Sequence, residues 1–402
     1  MSHIEFFSAK RSYKRSAKRS AKRSAKRSAK RSGAKRSPKR SPKRIPKRGA
    51  KRSAKRTGAE PRNRSIRFHM NRFEDLLGIG NGEHMFPSMK YQEGRALAAV
   101  SPELLDQIHN YNWPMPYQWG NRGSGPNQFK GPSDIAISSG GDIVVCDMYN
   151  FRIQVCRLDG TFVRQWGSRG KAPGQFKLPT SVAVSSIDEV FVTDSDNHRI
   201  QVFHLDGSFV RSWGSVGAFP TNQEAVVPGQ FRSPSGVAVH GDLVLVSDTN
   251  NHCIQCFRLD GTFVRLWPRI SGDISEPGQF YDPLGLAVSA AGEVFVCDHG
   301  NHRVQVFDLD GTFVRQWGSQ GDAPGLFRYP SGVAVSSAGE VLISDTTRVQ
   351  VFLTDGTFVR YIHLPAGDQG AFGPADVAVT PSGDVVVSDS TNDRIYVQPA
   401  GA

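Results

Sequence analysis

The segment GQFKLPTSVAVSSIDEVFVTDSDNHRIQVFHLDGSFVRSWG, residues 174–214, decides the fold of this chain of 402 residues. Apolar and polar residues alternate in RIQVF and in SFVRSW, the period of two that indicates strands with one buried face. The dipeptide Asp206-Gly207 between these runs is a hairpin signal. Two further short apolar runs, SVAVS and EVFVTD, precede them. The segment therefore predicts four consecutive antiparallel strands.

This segment is one of six copies, the first of which covers residues 127–167. A phenylalanine near the start of each copy recurs at spacings of 47, 55, 49, 47 and 45 residues: Phe129, Phe176, Phe231, Phe280, Phe327 and Phe372. Repeats of this length are typical of four-stranded propeller blades. We therefore predict an all-β protein, a six-bladed β-propeller that spans residues 112–402.

The sixth copy ends with TNDRIYVQPAGA, residues 391–402, and has no fourth strand. The sequence YQWGNRG, which begins at Tyr117 before the first copy, matches the fourth-strand sequence RQWGSRG. Trp119 thereby takes the position that Trp166, Trp213, Trp267 and Trp317 hold in other copies, and Ile362 in copy five. The segment around 113–119 is thus predicted to complete the last blade and remove its open edge.

Charged residues recur in the repeat, which favours a structural role for them. An Asp at the end of the second strand faces an Arg at the start of the third, and Asn between them tolerates a left-handed turn. These pairs are Asp147 with Arg152, Asp194 with Arg199, Asp298 with Arg303, and Asp389 with Arg394.

Cys253-x-x-Cys256 aligns with Arg and Val of other copies, so we interpret it as structural. The five cysteines lack disulfide-framework spacing and favour a reducing compartment.

The run DSDNHRIQVF, from Asp194 to Phe203, resembles the signature of NHL-repeat propellers. The resemblance to the Brat and TRIM class of these propellers implies RNA reading on one face. The zinc modules of TRIM proteins are absent, because no cysteine precedes Cys146. NHL-like propellers also include amidating lyases with a zinc-histidine site and lactonases with calcium. The resemblance thus leaves a scaffold, an RNA reader and an enzyme open.

Function is expected where the copies differ, on the face we name the top: the loops from second to third strand and from fourth strand to the next blade. Its candidate binding residues around blades six, one and two are Arg122, Lys130, Tyr149, Phe151, Arg152, Arg169, Lys171 and Lys177. Blades three to five carry Glu224, Asp273, Glu276, Asp282 and Asp322 instead. Basic residues beside aromatic ones suit single-stranded RNA, whereas a mixed-charge face suits a protein partner.

Catalysis in a propeller needs His or carboxylate groups that converge at the central channel. The innermost strands offer only Asp134, His240 and Asp376 near their ends. We therefore predict no catalytic residues, no metal and no cofactor, with a lyase or lactonase as the third alternative.

Charge divides the chain into two parts. Residues 1–67 hold 27 basic and 2 acidic residues, a net charge of +25, whereas residues 68–402 hold 23 basic and 35 acidic residues, a net charge of −12. Twelve Lys-Arg pairs run through the first part, separated by Ala, Ser, Pro and Gly. Such a composition cannot bury a core and predicts a disordered tail.

SPELLDQIHN, from Ser101, predicts a helix start within a short helical linker over residues 68–111.

The tail is predicted to bind DNA or RNA without sequence preference, through phosphate contacts. The residues assigned to this binding are Lys14, Arg15, Lys18, Arg19, Lys22, Arg23, Lys39, Arg40, Lys43 and Arg44. The two SPKR units, at Ser37 and Ser41, resemble the SPKK units of sperm and linker histone tails, and both serines are candidate phosphorylation sites. A nuclear-import signal and a solubilising tail are the alternatives.

Neither a secretion signal nor a membrane span is evident in the sequence. We expect a monomer that is intracellular and nuclear, or associated with another nucleic-acid-rich compartment such as a virion. Its partners are expected to be nucleic acid through the tail and an unidentified protein through the propeller.

Overall fold

The computed structural model describes residues 115–217, 226–268, 273–362, 364 and 373–400. The predicted tail, the helical linker over 68–111, Glu224 and Phe372 lie outside these residues. Within the described part of the chain, no helix is long and apolar enough to cross a membrane.

The described residues form six four-stranded antiparallel sheets and two small parallel ladders. The chain begins with β1 (Tyr117–Trp119), β2 (Asn121–Arg122) and β3 (Gln128–Phe129). Blade one follows with β4 (Pro132–Ile137), β5 (Ile143–Asp147), β6 (Arg152–Cys156) and β7 (Phe162–Trp166). Blade two contains β8 (Pro179–Val184), β9 (Glu189–Asp194), β10 (Arg199–His204) and β11 (Phe209–Trp213). β12 (Ser215–Val216) and β13 (Gln230–Phe231) form the second parallel ladder, as β2 and β3 form the first.

Blades three to six repeat the same order from the innermost strand outward. Blade three contains β14 (Pro234–His240), β15 (Leu243–Asp248), β16 (Cys253–Arg258) and β17 (Phe263–Trp267). Blade four contains β18 (Pro283–Val288), β19 (Glu293–Asp298), β20 (Arg303–Asp308) and β21 (Phe313–Trp317). Blade five contains β22 (Val333–Val335), β23 (Glu340–Ser344), β24 (Val349–Leu353) and β25 (Phe358–Ile362). Blade six contains β26 (Pro374–Val379), β27 (Val385–Asp389) and β28 (Arg394–Gln398).

β1 completes blade six, as the sequence predicts. It pairs antiparallel with β28, in a register that places Tyr117 opposite Val397 and Trp119 opposite Ile395. The innermost strands of neighbouring blades contact one another around a closed ring, from β26 to β4 and on to β22. The prediction of a six-bladed propeller closed by an N-terminal strand is therefore confirmed.

The hydrophobic core lies between the blades. The second and third strands of each blade are almost wholly buried, whereas the outer strands are half-buried. Six apolar clusters each join two neighbouring blades, which gives one cluster for each interface of the ring. Burial of aliphatic strand faces between neighbouring blades therefore stabilises the whole ring.

Each tryptophan at the end of an outer strand packs on a glycine in the hairpin of the next blade. An added Cβ atom on that glycine would lie about 3 Å from the indole ring. The pairs are Trp119 with Gly160, Trp166 with Gly207, Trp213 with Gly261, Trp267 with Gly311, and Trp317 with Gly356. All five glycines have a left-handed backbone, with φ between +86° and +91°. The Asp-Gly hairpins therefore serve both the turn and the contact between blades.

Candidate binding surface

A buried aspartate organises the top of blade one. The Asp147 carboxylate accepts hydrogen bonds from the Lys130 amide at 2.8 Å, Asn150 Nδ2 at 2.9 Å, Arg152 Nε at 2.7 Å and Gln154 Nε2 at 3.1 Å. Burial raises the pKa of Asp147, and the hydrogen bonds from Lys130, Asn150 and Arg152 offset only part of this rise. The aspartate thus holds the short turn after β5 against the linker that precedes β4.

Arg152 is part of this scaffold and does not belong to the exposed surface, which corrects its place among the candidate binding residues. Its side chain is 7% exposed. Besides Asp147, Nη1 donates to the Ser124 carbonyl and to Gln165 Oε1, and Nη2 donates to the carbonyls of Gly125 and Gln128. All five guanidinium donors are therefore used within the blade and its linker.

The predicted ion pairs of blades two and four have the same geometry. Arg199 Nε lies 2.8 Å from Asp194, and Arg303 Nε lies 2.7 Å from Asp298. Blade six differs from the predicted pair of Asp389 with Arg394. There, Arg394 Nε donates to the backbone carbonyl of Asn392 at 3.5 Å.

Blade three has Cys253 at the arginine position, beside Asp248. Asp248 accepts hydrogen bonds from Asn251 and Gln255, and burial raises its pKa to about 6. Cys253 and Cys256 are buried free thiols. Among the described residues, no group of three or more His, Cys, Asp or Glu could hold a metal ion.

The histidines of the repeat join each blade to the next. His198 Nδ1 accepts a hydrogen bond from the Ser233 amide at 3.2 Å. The same contact connects His252 with Asp282 and His302 with Tyr329, both at 3.1 Å. Burial lowers the pKa of His198 and of His252, so each imidazole accepts in its neutral form. In blade six, Asp393 replaces the histidine and accepts from the Gly131 amide at 2.6 Å.

Blade one departs from this pattern at Phe151. The phenylalanine has the left-handed backbone of the histidine position, with φ of +58°, but no ring nitrogen that could accept a hydrogen bond. The Arg169 guanidinium lies over its ring, 5.3 Å from the centroid. Tyr149, two residues before Phe151, is half-buried and packs on Gly131. An arginine-aromatic pair therefore replaces the polar contact between blades one and two.

The other predicted basic residues lie on the same top surface with different surroundings. Lys130, Arg169 and Lys171 are exposed. Arg122 is 82% exposed, with Nε 3.8 Å from Asp393. Lys177 Nζ lies 3.4 Å from Asp196.

The structure therefore brings Arg169 to Phe151. It also places Lys130 beside Tyr149, because the Tyr149 amide donates to the Lys130 carbonyl at 3.0 Å. Arg122 and Lys177 lie beside carboxylates instead. Across the ring, Asp273 and Glu276 are exposed on blade four. Asp322 forms an exposed ion pair with Arg328 at 2.5 Å.

Sequence reasoning named Asp134 and Asp376 but missed that they lie together at the junction of blades one and six. Asp134 and Asp376 lie on the neighbouring strands β4 and β26, and the amide of Ile135, next to Asp134, donates to Asp376 Oδ2 at 3.3 Å. Burial raises the pKa of both, that of Asp376 to about 6. A signal was present, because DIAI and DVAV place both residues at one repeat position in blades that adjoin once the ring closes.

A family model described as the NHL repeat matches residues 129–156, 176–203, 231–257 and 280–307. Four segments of the chain are therefore similar to the NHL repeat. They lie in blades one to four. Outside these matches, blade five has lost two residues between Asp345 and Arg348, and blade six has Asp393 in place of the histidine.

Solved structures show the same fold at low sequence identity. They include a streptogramin B lyase with 12% identity and a TM-score of 0.50, which covers 71% of this chain and 97% of the other. A gluconolactonase from Xanthomonas campestris has 17% identity and a TM-score of 0.51, over 68% of this chain and 87% of the other. A protein of unknown function from Bacteroides thetaiotaomicron has 17% identity and a TM-score of 0.52, over 71% and 77%. No curated protein sequence matches the chain.

Proposed function

We propose that the protein is a non-enzymatic interaction scaffold, in which the propeller binds a protein partner on its top face and the basic tail binds DNA or RNA without sequence preference. No catalytic step is assigned to the propeller. The proposal includes a monomeric protein that acts in a nucleic-acid-rich compartment, with residues 1–67 as the tail, 68–111 as the linker and 112–402 as the propeller.

The observation that carries the scaffold is the use of the recurring polar residues within the fold. Asp147, Arg152 and their counterparts bond to their own linkers, and the histidines bond to the next blade. Side chains whose hydrogen-bonding groups are used within the fold are not available to a ligand. Side chains that differ between copies remain exposed on the top face, and among the described residues the exposed Lys130, Arg169 and Lys171 form no ion pair with a carboxylate.

The charge distribution supports the nucleic-acid role of the tail. A net charge of +25 within 67 residues contrasts with −12 for the rest of the chain. If about ten of these charges contact phosphates, the logarithm of the binding constant falls with the logarithm of salt concentration with a slope of about −9. Each phosphate on Ser37 or Ser41 adds about −1.5 to −2 charges, so phosphorylation by a kinase weakens this binding.

The test compares the full chain with residues 68–402 in binding to labelled single-stranded RNA and duplex DNA over a range of salt concentrations. The proposal expects tight binding by the full chain, a steep salt slope, no sequence preference and loss of binding without the tail. Retention of binding by residues 68–402 would contradict it.

The top face is tested in the full chain with a matched pair of double variants. Arg169→Glu with Lys171→Glu reverses two exposed charges on the top face, whereas Arg157→Glu with Arg258→Glu reverses two exposed charges on the opposite face. A partner that docks on the top face is lost with the first variant and retained with the second. Equal effects of the two variants would argue against a top-face site.

A second candidate is a propeller that reads single-stranded RNA. The observation that favours it is the Arg169–Phe151 pair, because an aromatic ring with a cation beside it suits base stacking and phosphate contact. This candidate expects residues 68–402 to bind RNA selectively and Phe151→His, which restores the residue of the other copies, to abolish the selectivity.

A further inference from the structure

In each blade, the residue two positions after the proline at the start of the innermost strand lies against the next blade. The residues at this position in blades one to six are Asp134, Ser181, Gly236, Gly285, Gly332 and Asp376. Carboxyl groups therefore occur at this level only in the first and last blades, which adjoin where the ring closes.

At this position, hydrogen bonds join blade six to blade one and blade two to blade three. The Ile135 amide donates to Asp376 Oδ2 at 3.3 Å, which brings the Asp376 carboxyl group beside that of Asp134, the preceding residue on β4. On the other side of Asp134, Ser181 of blade two accepts from the Val237 amide of blade three through its Oγ at 3.1 Å. Two carboxylates without a proton have no donor for each other, so a hydrogen bond between Asp134 and Asp376 requires one hydrogen.

In the described part of the chain, thiols and carboxylates surround this pair. The nearby titratable groups are the thiols of Cys146 on β5 and Cys297 on β19, and burial raises the pKa of both thiols. The carboxylates of Asp147 and Asp298 act on these same thiols from one residue further along the strands. No lysine, arginine or histidine is among the groups that act on the pair within the described part of the chain.

We propose that one proton, shared between Asp134 and Asp376, closes the ring between the first and last blades. When that proton is lost, two carboxylates face each other across the junction, which the pairing of β1 with β28, the contact of β26 with β4 and an apolar cluster also join. The shared proton makes the stability of the closed ring depend on pH. This dependence does not rest on what the top face or the tail binds.

The direction of the effect follows from linkage. Burial holds the folded-state pKa of both carboxyls above that of the unfolded chain, with Asp376 at about 6, and the charge of Asp376 raises the pKa of Asp134 further. The pair therefore stabilises the fold at low pH, and this stabilisation is lost as pH rises through the folded-state values.

Asparagine variants of the full chain test the proposal, because an amide donates the missing hydrogen bond at every pH. In Asp134→Asn, the amide donates to Asp376, and in Asp376→Asn, it donates to Asp134. We expect the melting temperature of each variant to exceed that of the wild type by about 2–4 °C near pH 9 and to lose this advantage near pH 5. A difference that does not change between these pH values would overturn the proposal.

Asp298→Asn is the matched control, because it also converts a buried strand carboxyl with a raised pKa into an amide. Its partner is Arg303, so the variant loses an ion pair and is expected to be destabilised at every pH. If the Asp134 and Asp376 variants behave in the same way, the shared proton is excluded.

Hydrogen exchange, corrected for intrinsic pH dependence, locates the effect even if a variant folds poorly. Between about pH 6 and pH 9, exchange in the wild type is expected to rise in β1 and β26–β28 relative to β18–β21. A uniform response across the blades would contradict a device at the closing junction.

Discussion

At the scale of the residue, Arg303 shows how a charged side chain becomes part of a core. It is 8% exposed, and its donors contact the Asp298 carboxylate and the carbonyls of Ser275, Glu276 and Gln279. We expect Arg303→Ala to lower the free energy of unfolding by about 3–5 kcal/mol, because a buried carboxylate then lacks its charge partner. Urea denaturation measures the change.

Arg258→Ala is the control for this prediction. Arg258 forms an ion pair with Asp242, and both side chains are at least half exposed. Its removal is expected to cost no more than about 1 kcal/mol. Similar costs for the Arg303 and Arg258 variants would show that burial does not determine the contribution of the repeat arginine.

The histidine position gives a second residue-scale prediction, with a pH dependence. Because burial lowers the pKa of His198, the unfolded chain binds a proton more readily than the folded one below about pH 6.5. Falling pH therefore destabilises the wild type through this residue. In His198→Asn, a side-chain oxygen accepts from the Ser233 amide at any pH, as Asp393 does from Gly131.

We expect the wild type to lose more stability than His198→Asn between about pH 7 and pH 5, as measured by urea midpoints at the two values. The comparison isolates His198 from the aspartates, whose raised pKa values change stability in the opposite direction. Parallel curves for the two proteins would refute the role assigned to the imidazole.

At the scale of the element, the outer strand and the next hairpin act as a unit. Trp267 at the end of β17 covers Gly311 in the hairpin of blade four, and an added Cβ atom there would lie 2.8 Å from the indole Cγ. This contact also explains why Ile362 ends β25. Blade six takes its outer strand from β1 and so offers no hairpin glycine to a tryptophan of blade five.

Two glycine variants separate backbone strain from this contact. Gly311→Ala and Gly339→Ala both place alanine at a left-handed position, with φ of +89° and +79°, but no atom lies within 4 Å of the added Cβ at Gly339. We expect Gly339→Ala to cost about 1–2 kcal/mol and Gly311→Ala to cost more, since the indole must move. Thermal melts of both variants test this, and equal costs would remove the contact from the explanation.

The sequence predicts most of these elements because each blade is local and repeated. Strand alternation, Asp-Gly turns and the position of Trp119 identify the blades and the closing strand. The contact between Asp134 and Asp376 could not be predicted from one blade, because it exists only when the first and last blades adjoin. The burial of Arg152 was also missed, because its acceptors are backbone carbonyls of the linker and carry no sequence signal.

At the scale of the whole molecule, closure by β1 determines whether the propeller has an exposed edge. The outward edge of β28 pairs with β1, and Trp119 packs in the same apolar cluster as Ile395 and Val397. Removal of β1 therefore exposes an unpaired strand together with apolar side chains of the junction. Strands in this condition tend to pair with other chains.

Two truncated chains test this dependence, one that begins at residue 115 and one that begins at residue 121. The first keeps β1 and is expected to be monomeric by light scattering. The second lacks β1 and is expected to self-associate and to unfold at a lower urea concentration. A peptide of residues 113–122 should then restore the monomer, because it can pair with the free edge of β28. If the shorter chain is monomeric and equally stable, the inner ring alone holds the first and last blades together, and the pairing of β1 with β28 is dispensable.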